Sequence, residues 1–191
     1  MKNIPALDPK VLDLVTEISK EPKVEAAMAF IKDQTEVAMQ EQIELCEIEA
    51  PTFHEEKRAA SVAERMKQYG LTDVHIDEIG NVIGIRKGTG SGPVLAIGAH
   101  MDSVFPAGTD VKVKKEGNIY RAPGIGDNCS GLRALLQVLR AMEKEDIRTV
   151  GDIWVVGTVG EEGNGDIRGS KHLCANNKLD GFVAIDSTDV G

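Results

Sequence analysis

Four places in the sequence set a histidine or carboxylates beside an apolar run. The run Val94-Leu-Ala-Ile-Gly-Ala99 leads into His100-Met101-Asp102, and Ile153-Trp-Val-Val-Gly-Thr-Val159 leads into Gly160-Glu161-Glu162. Phe182-Val-Ala-Ile185 ends in Asp186, and Asp127 stands in the loop Gly124-Ile-Gly-Asp-Asn-Cys-Ser-Gly131 just before a helical pattern. In α/β sheets, ligand sites form beyond the carboxyl ends of the strands, where these residues fall. Histidine with carboxylates and no cysteine is the donor set of a hydrolytic zinc, cobalt or manganese centre. Each residue alone has a plainer account. A strand-end histidine is more often simply hydrogen-bonded, Asp127 could cap the following helix, Glu161-Glu162 could be a solvated turn, and Asp186 could be another cap. Four such coincidences with compatible ligand chemistry favour one shared cation site.

The elements that must position these residues follow from periodicity. From Pro22 to Glu49, apolar residues recur among charges at Ala26, Ala29, Phe30, Val37, Ile43 and Leu45, the spacing of an amphipathic helix. Pro51 breaks it, Thr52 is placed to cap the next helix with Glu55 three residues on, and Ala59 to Tyr69 continue that helix until Gly70. Short runs rich in Val and Ile then predict strands over Val74–Ile79, Val82–Arg86, Val94–Gly98, Ile153–Val159 and Phe182–Ile185. Gly80-Asn81 and the glycine-rich stretch Gly88 to Pro93 read as hairpin connections between the first three. Ser130–Met142 and Ile167–Ala175 read as helices, so the fold class is α/β, a mixed sheet sandwiched by helices.

Composition narrows the function classes. A chain of 191 residues is sized for one compact unit, and 41% apolar with 28% charged residues is globular composition. With 31 acidic against 22 basic residues, the net charge of -9 repels nucleic acid and anionic membranes, so neither is an expected partner. Cys46, Cys129 and Cys174 form no CxxC pair, which argues against a disulfide scaffold or a thiolate zinc site and fits a reducing, cytoplasmic setting. Met1 to Leu14 lacks the apolar run of an export signal.

The motifs resemble those of the zinc-dependent exopeptidases and deacylases that include peptidase T, glutamate carboxypeptidase, acetylornithine deacetylase and succinyl-diaminopimelate desuccinylase. Ala99-His-Met-Asp-Ser-Val104 is similar to their first metal motif, Gly124 to Gly131 to their bridging-aspartate motif, and Gly160-Glu-Glu-Gly163 with Gly169-Ser170 to their double-glutamate motif. Ile48-Glu-Ala-Pro-Thr52 with Glu55-Glu56 is similar to their opening helix boundary. The resemblance implies two zinc ions, with cobalt or manganese as substitutes. His100, Asp127 and Asp186 would hold one ion, while Asp127 and Glu162 would hold the other. It makes Glu161 the general base and Asp102 the residue that fixes the His100 imidazole, and it implies a cis peptide at Asp127-Asn128. Asp189 is the alternative to Asp186. The implied substrate is a small peptide or an N-acyl amino acid.

The resemblance covers about residues 40 to 190. It implies that residues 1–191 correspond to the N-terminal segment of a catalytic domain, incomplete at its C-terminus. A lid or dimerisation domain, and a last histidine for the second zinc, would lie elsewhere. Little activity in the isolated chain, and self-association through an unpaired sheet edge into a homo-oligomer, are the matching expectations. His172, in a predicted helix, is a poor substitute ligand. Two other functions compete with the hydrolase: a non-enzymatic metal-binding or interaction module, and a cysteine hydrolase using Cys129.

Overall fold

The computed structural model describes residues 8–187. Four helices come first: α1 (Pro9–Ser19), α2 (Pro22–Asp33), α3 (Thr35–Cys46) and α4 (Glu56–Gln68). The single helix predicted from Pro22 to Glu49 is therefore two. At the junction the Thr35 hydroxyl donates to the Lys32 carbonyl at 2.7 Å, the kind of local bond that competes with a continuing helical ladder. The helix α1, which apolar periodicity did not single out, starts at Asp8, whose side chain accepts the Lys10 N–H, and carries Pro9 at its first turn. Gly70 ends α4 at a φ of 81°, as its place in the sequence suggests.

The strands are β1 (Thr72–Ile76), β2 (Val82–Arg86), β3 (Leu95–His100), β4 (Lys114–Glu116), β5 (Ile119–Arg121), β6 (Ile153–Thr158) and β7 (Gly181–Ala184). Between them run α5 (Cys129–Lys144) and α6 (Arg168–Asn176). Five strands form one mixed sheet in the order β1-β2-β6-β3-β7, and β4 and β5 form a separate ribbon whose three-residue strands are too short to display alternation.

Gly80-Asn81 does connect an antiparallel pair, β1 and β2. The second expected hairpin is wrong: β6 lies between β2 and β3, antiparallel to the first and parallel to the second. The glycines of that connection serve close approach instead. A Cβ at Gly88 or Gly92 would strike the backbone of Val150 and Gly151, and the Gly90 N–H donates to the Val150 carbonyl at 3.0 Å.

Because β3, β6 and β7 are parallel, their carboxyl ends share one edge of the sheet. The register aligns His100 with Thr158 and Gly98 with Ala184, so the segments after β3, β6 and β7 emerge side by side. The central strands read as nearly continuous apolar runs because both faces are covered. On one face Val155 and Ala99 pack with Leu45, Val62, Met66, Leu132 and Leu136 of α3, α4 and α5. On the other, Ile83, Ala96 and Val156 meet Leu173 of α6. No helix among the described residues is long and apolar enough to cross a membrane.

Candidate metal centre

His100 is the last residue of β3, and its side chain is buried. Its Nδ1 faces Asp102, 3.1 Å from the backbone carbonyl and 3.5 Å from carboxylate Oδ1, so backbone and side chain of one residue together fix the ring. Its Nε2 points to the acidic rim: Asp127 Oδ1 lies at 3.0 Å, Asp186 Oδ1 at 3.6 Å and Glu161 Oε2 at 4.0 Å. The Asp127 approach is a charge contact, and no hydrogen bond satisfies this buried nitrogen. Ligand atoms of His100, Asp127 and Glu162 all lie within 4.8 Å of one another. Asp186 falls outside that group of three despite its approach to His100.

Asp102 is wholly buried, and its carboxylate does more than the sequence suggests. It accepts the Glu161 N–H at 2.9 Å, the Glu162 N–H at 3.0 Å and the Thr52 hydroxyl at 2.9 Å. Thr52 is therefore not the cap of α4; its hydroxyl turns to Asp102, and the helix starts after Glu55 without a side-chain cap. Burial opposes ionisation of Asp102, but the bond with His100 and the donors from Glu161, Glu162 and Thr52 outweigh it and hold the carboxyl at about 2. For His100, burial disfavours the charged ring, yet the bond to Asp102 and the charges of Asp102, Asp186 and Asp127 raise it to about 9. Burial, then the neighbouring Asp127 charge, pushes Glu162 upward.

The loop carrying Asp127 is pinned by its neighbour. The Asp127-Asn128 peptide is cis. Asn128, not Asp127, caps α5, accepting the Gly131 N–H at 3.0 Å while its amide donates to the Ile185 carbonyl at 2.9 Å. Asp127 is thereby released from capping and left half-exposed beside His100. Asp186 keeps part of its plainer role, accepting the Ser187 N–H at 2.7 Å. Asp189 lies outside the described residues. His172 sits in α6 against Glu78 at 2.9 Å, away from the cluster. Cys129 is wholly buried in the first turn of α5, without the access a nucleophile needs.

The donor set fits a divalent cation. Among the described residues, no lysine or arginine pairs with Asp127, Glu161, Glu162 or Asp186, and His100 is the single basic group that faces them. Carboxylates crowded around an unsatisfied imidazole nitrogen are the complement of a metal ion. Sequence reasoning did not single out Arg168 and gave Glu55 only a capping role and a place in the opening motif; with Asn81 they lie buried or half-buried behind the Glu161-Glu162 turn. Asn81 carried a turn signal and nothing more.

The family model described as peptidase family M20/M25/M40 matches residues 96–190. A Pyrococcus abyssi protein named as a putative LysW-lysine/LysW-ornithine hydrolase is 34% identical over 120 residues, 63% of this chain and 32% of that protein. Among solved structures, a tripeptidase from Staphylococcus aureus aligns at 30% identity with a TM-score of 0.65 over 80% of this chain and 43% of that one. Aminopeptidase PepT from Bacillus cereus aligns at 24% identity with a TM-score of 0.68 over 81% of this chain and 44% of that one. The chain thus spans 32% of the length of this curated relative and less than half of these solved chains.

Proposed function

Because this chain belongs to the M20/M25/M40 family of peptidases, a family of hydrolases, we propose that its acidic cluster holds two zinc ions and serves hydrolysis of an amide bond in a small peptide or an N-acyl amino acid. The observation that carries this reading is the buried, unsatisfied Nε2 of His100 facing Asp127, with Glu162 completing a group of donors within 4.8 Å. His100, Asp127 and Asp186 would hold one ion, and Asp127 and Glu162 the other, leaving Asp127 as the shared ligand. Cobalt or manganese suits the same donors. The bound ions would polarise the scissile carbonyl and make a nearby water acidic enough to attack at neutral pH.

The chain's own residues supply the rest. Glu161, partly exposed and 4.0 Å from His100 Nε2, takes the proton of the attacking water and returns it to the leaving amine. Asp102 holds the His100 ring by engaging Nδ1, so that Nε2 stays turned to Asp127 and Asp186, where an ion would be held. An open cleft of about 330 Å³ borders Glu162 and is walled by Pro51, Phe53, Val104, Phe105 and Pro106, an apolar surface for a substrate side chain or acyl group.

Hydrolysis of a panel of tripeptides and N-acyl amino acids by the native protein, with and without chelator, tests this reading. Turnover that chelator abolishes and zinc restores is the expected result; chelator-insensitive turnover overturns it. The second reading, a metal-binding module without hydrolysis, draws on the second ion having only Asp127 and Glu162 among the described residues. It predicts zinc binding with no turnover on any member of the panel.

A further inference from the structure

The segment bearing Glu161 and Glu162 hangs from three distant parts of the chain. Four successive backbone N–H groups each end on a side-chain oxygen: Val159 on Asn81 Oδ1 at 3.1 Å, Gly160 on Glu55 Oε1 at 3.0 Å, Glu161 on Asp102 Oδ1 at 2.9 Å, and Glu162 on Asp102 Oδ2 at 3.0 Å. Buried backbone donors need partners, so these oxygens dictate the path of the turn. Glu55 is only 4% exposed. Arg168, the first residue of α6, donates Nη2 to both Glu55 oxygens at 3.1 and 3.2 Å and Nη1 to the Ile79 carbonyl at 2.7 Å. Its guanidinium lies 5.2 Å from the centre of the Phe53 ring. Gly160 takes a φ of +60°, and a Cβ there would strike the Arg168 side chain. A buried carboxylate, its cation and a glycine without spare space therefore sit directly behind the two glutamates.

We infer that Glu55, locked by Arg168, is a positioning residue: by holding the Gly160 N–H it sets the turn so that Glu161 and Glu162 project toward His100 and Asp127. Glu55 has no contact with His100, Asp127 or Asp186 among its hydrogen bonds and ion pairs, so it acts through the backbone and not on a ligand. The roles of Glu161 and Glu162 as base and ligand rest on the proposed function; the placement of the turn does not.

The test compares the parent chain with Glu55→Gln and with the double variant Glu55→Met/Arg168→Met. Replacing a buried ion pair by apolar side chains of similar size commonly preserves overall stability. A purely structural pair would therefore be rescued in the double variant, whereas the Gly160 N–H would still lack its acceptor. Amide hydrogen exchange is read at Gly160 and Glu161 and, as a control, at Val155 and Val156 in β6; zinc affinity is measured by titration. In the double variant the inference expects exchange at Gly160 and Glu161 to speed up by about tenfold or more, with Val155 and Val156 unchanged, and zinc affinity to fall by about tenfold, while Glu55→Gln, whose amide oxygen still accepts the Gly160 N–H, keeps most of the protection. Parent-like protection and affinity in the double variant would overturn it. If the parent binds no zinc, the metal reading fails, and the exchange comparison still decides whether Glu55 sets the turn.

Discussion

The floor and the rim of the candidate centre are built on opposite principles. The floor, His100 and Asp102, is buried, and Asp102 is satisfied by Thr52, Glu161 and Glu162 as well as by the imidazole. The rim, Asp127, Glu161 and Asp186, is one-third to more than half exposed and has no basic partner except His100 among the described residues. The floor is tied together by the hydrogen bonds that Asp102 accepts. The rim gathers like charges that a cation would relieve.

That contrast can be broken or sharpened by mutation. The largest effect expected is on turnover. In the native protein, Glu161→Ala loses about 10²- to 10⁴-fold in kcat while its thermal unfolding stays near that of the parent; unchanged kcat would remove Glu161 as the base. Next comes the floor: Asp102→Ala strands two backbone donors and a hydroxyl in a buried place. It should cost about 3 kcal/mol of metal-free stability in denaturant titration, and a cost near zero would mean that the floor does not hold the turn. Smallest is the rim. In the metal-free chain, Asp127→Asn should change stability by no more than about 0.5 kcal/mol while weakening zinc uptake, and a large metal-free loss would show that Asp127 is structural after all.

The difference between floor and rim also explains how much the sequence discloses. Residues at the ends of apolar runs are legible because a parallel strand buried on both faces is a continuous apolar word, and the residues just past its end emerge at the sheet edge. Val82–Arg86 coincides with β2 because that strand, although antiparallel to both neighbours, is also buried on both faces. Pairing is not legible. The run at Ile153 carries no mark that it inserts between β2 and β3, and the glycines from Gly88 to Pro93 imitate a hairpin while in fact clearing space for Val150 and Gly151. Asp127 and Asn128 are indistinguishable as caps in the sequence, and only the fold shows the Gly131 N–H ending on Asn128. The sequence marks Glu55 for a helix cap but hides its role behind the glutamates, since Glu55 meets Gly160 across 105 positions and only the folded sheet brings them together.

Self-association is a further proposal that the same sheet motivates. β7 is an edge strand of the five-stranded sheet, and its Val183 side chain is exposed. Small-angle scattering on the chain should then give a mass that rises with concentration, and a constant monomer mass would dismiss the edge as an association surface.

The most direct test of the central claim, that the rim is built around a cation, is zinc retention. The parent chain and His100→Ala are incubated with limited zinc, desalted and weighed by native mass spectrometry. The parent should keep about one zinc per chain and the variant none. Equal retention by both, or none by either while both are folded, would contradict a metal centre organised on His100.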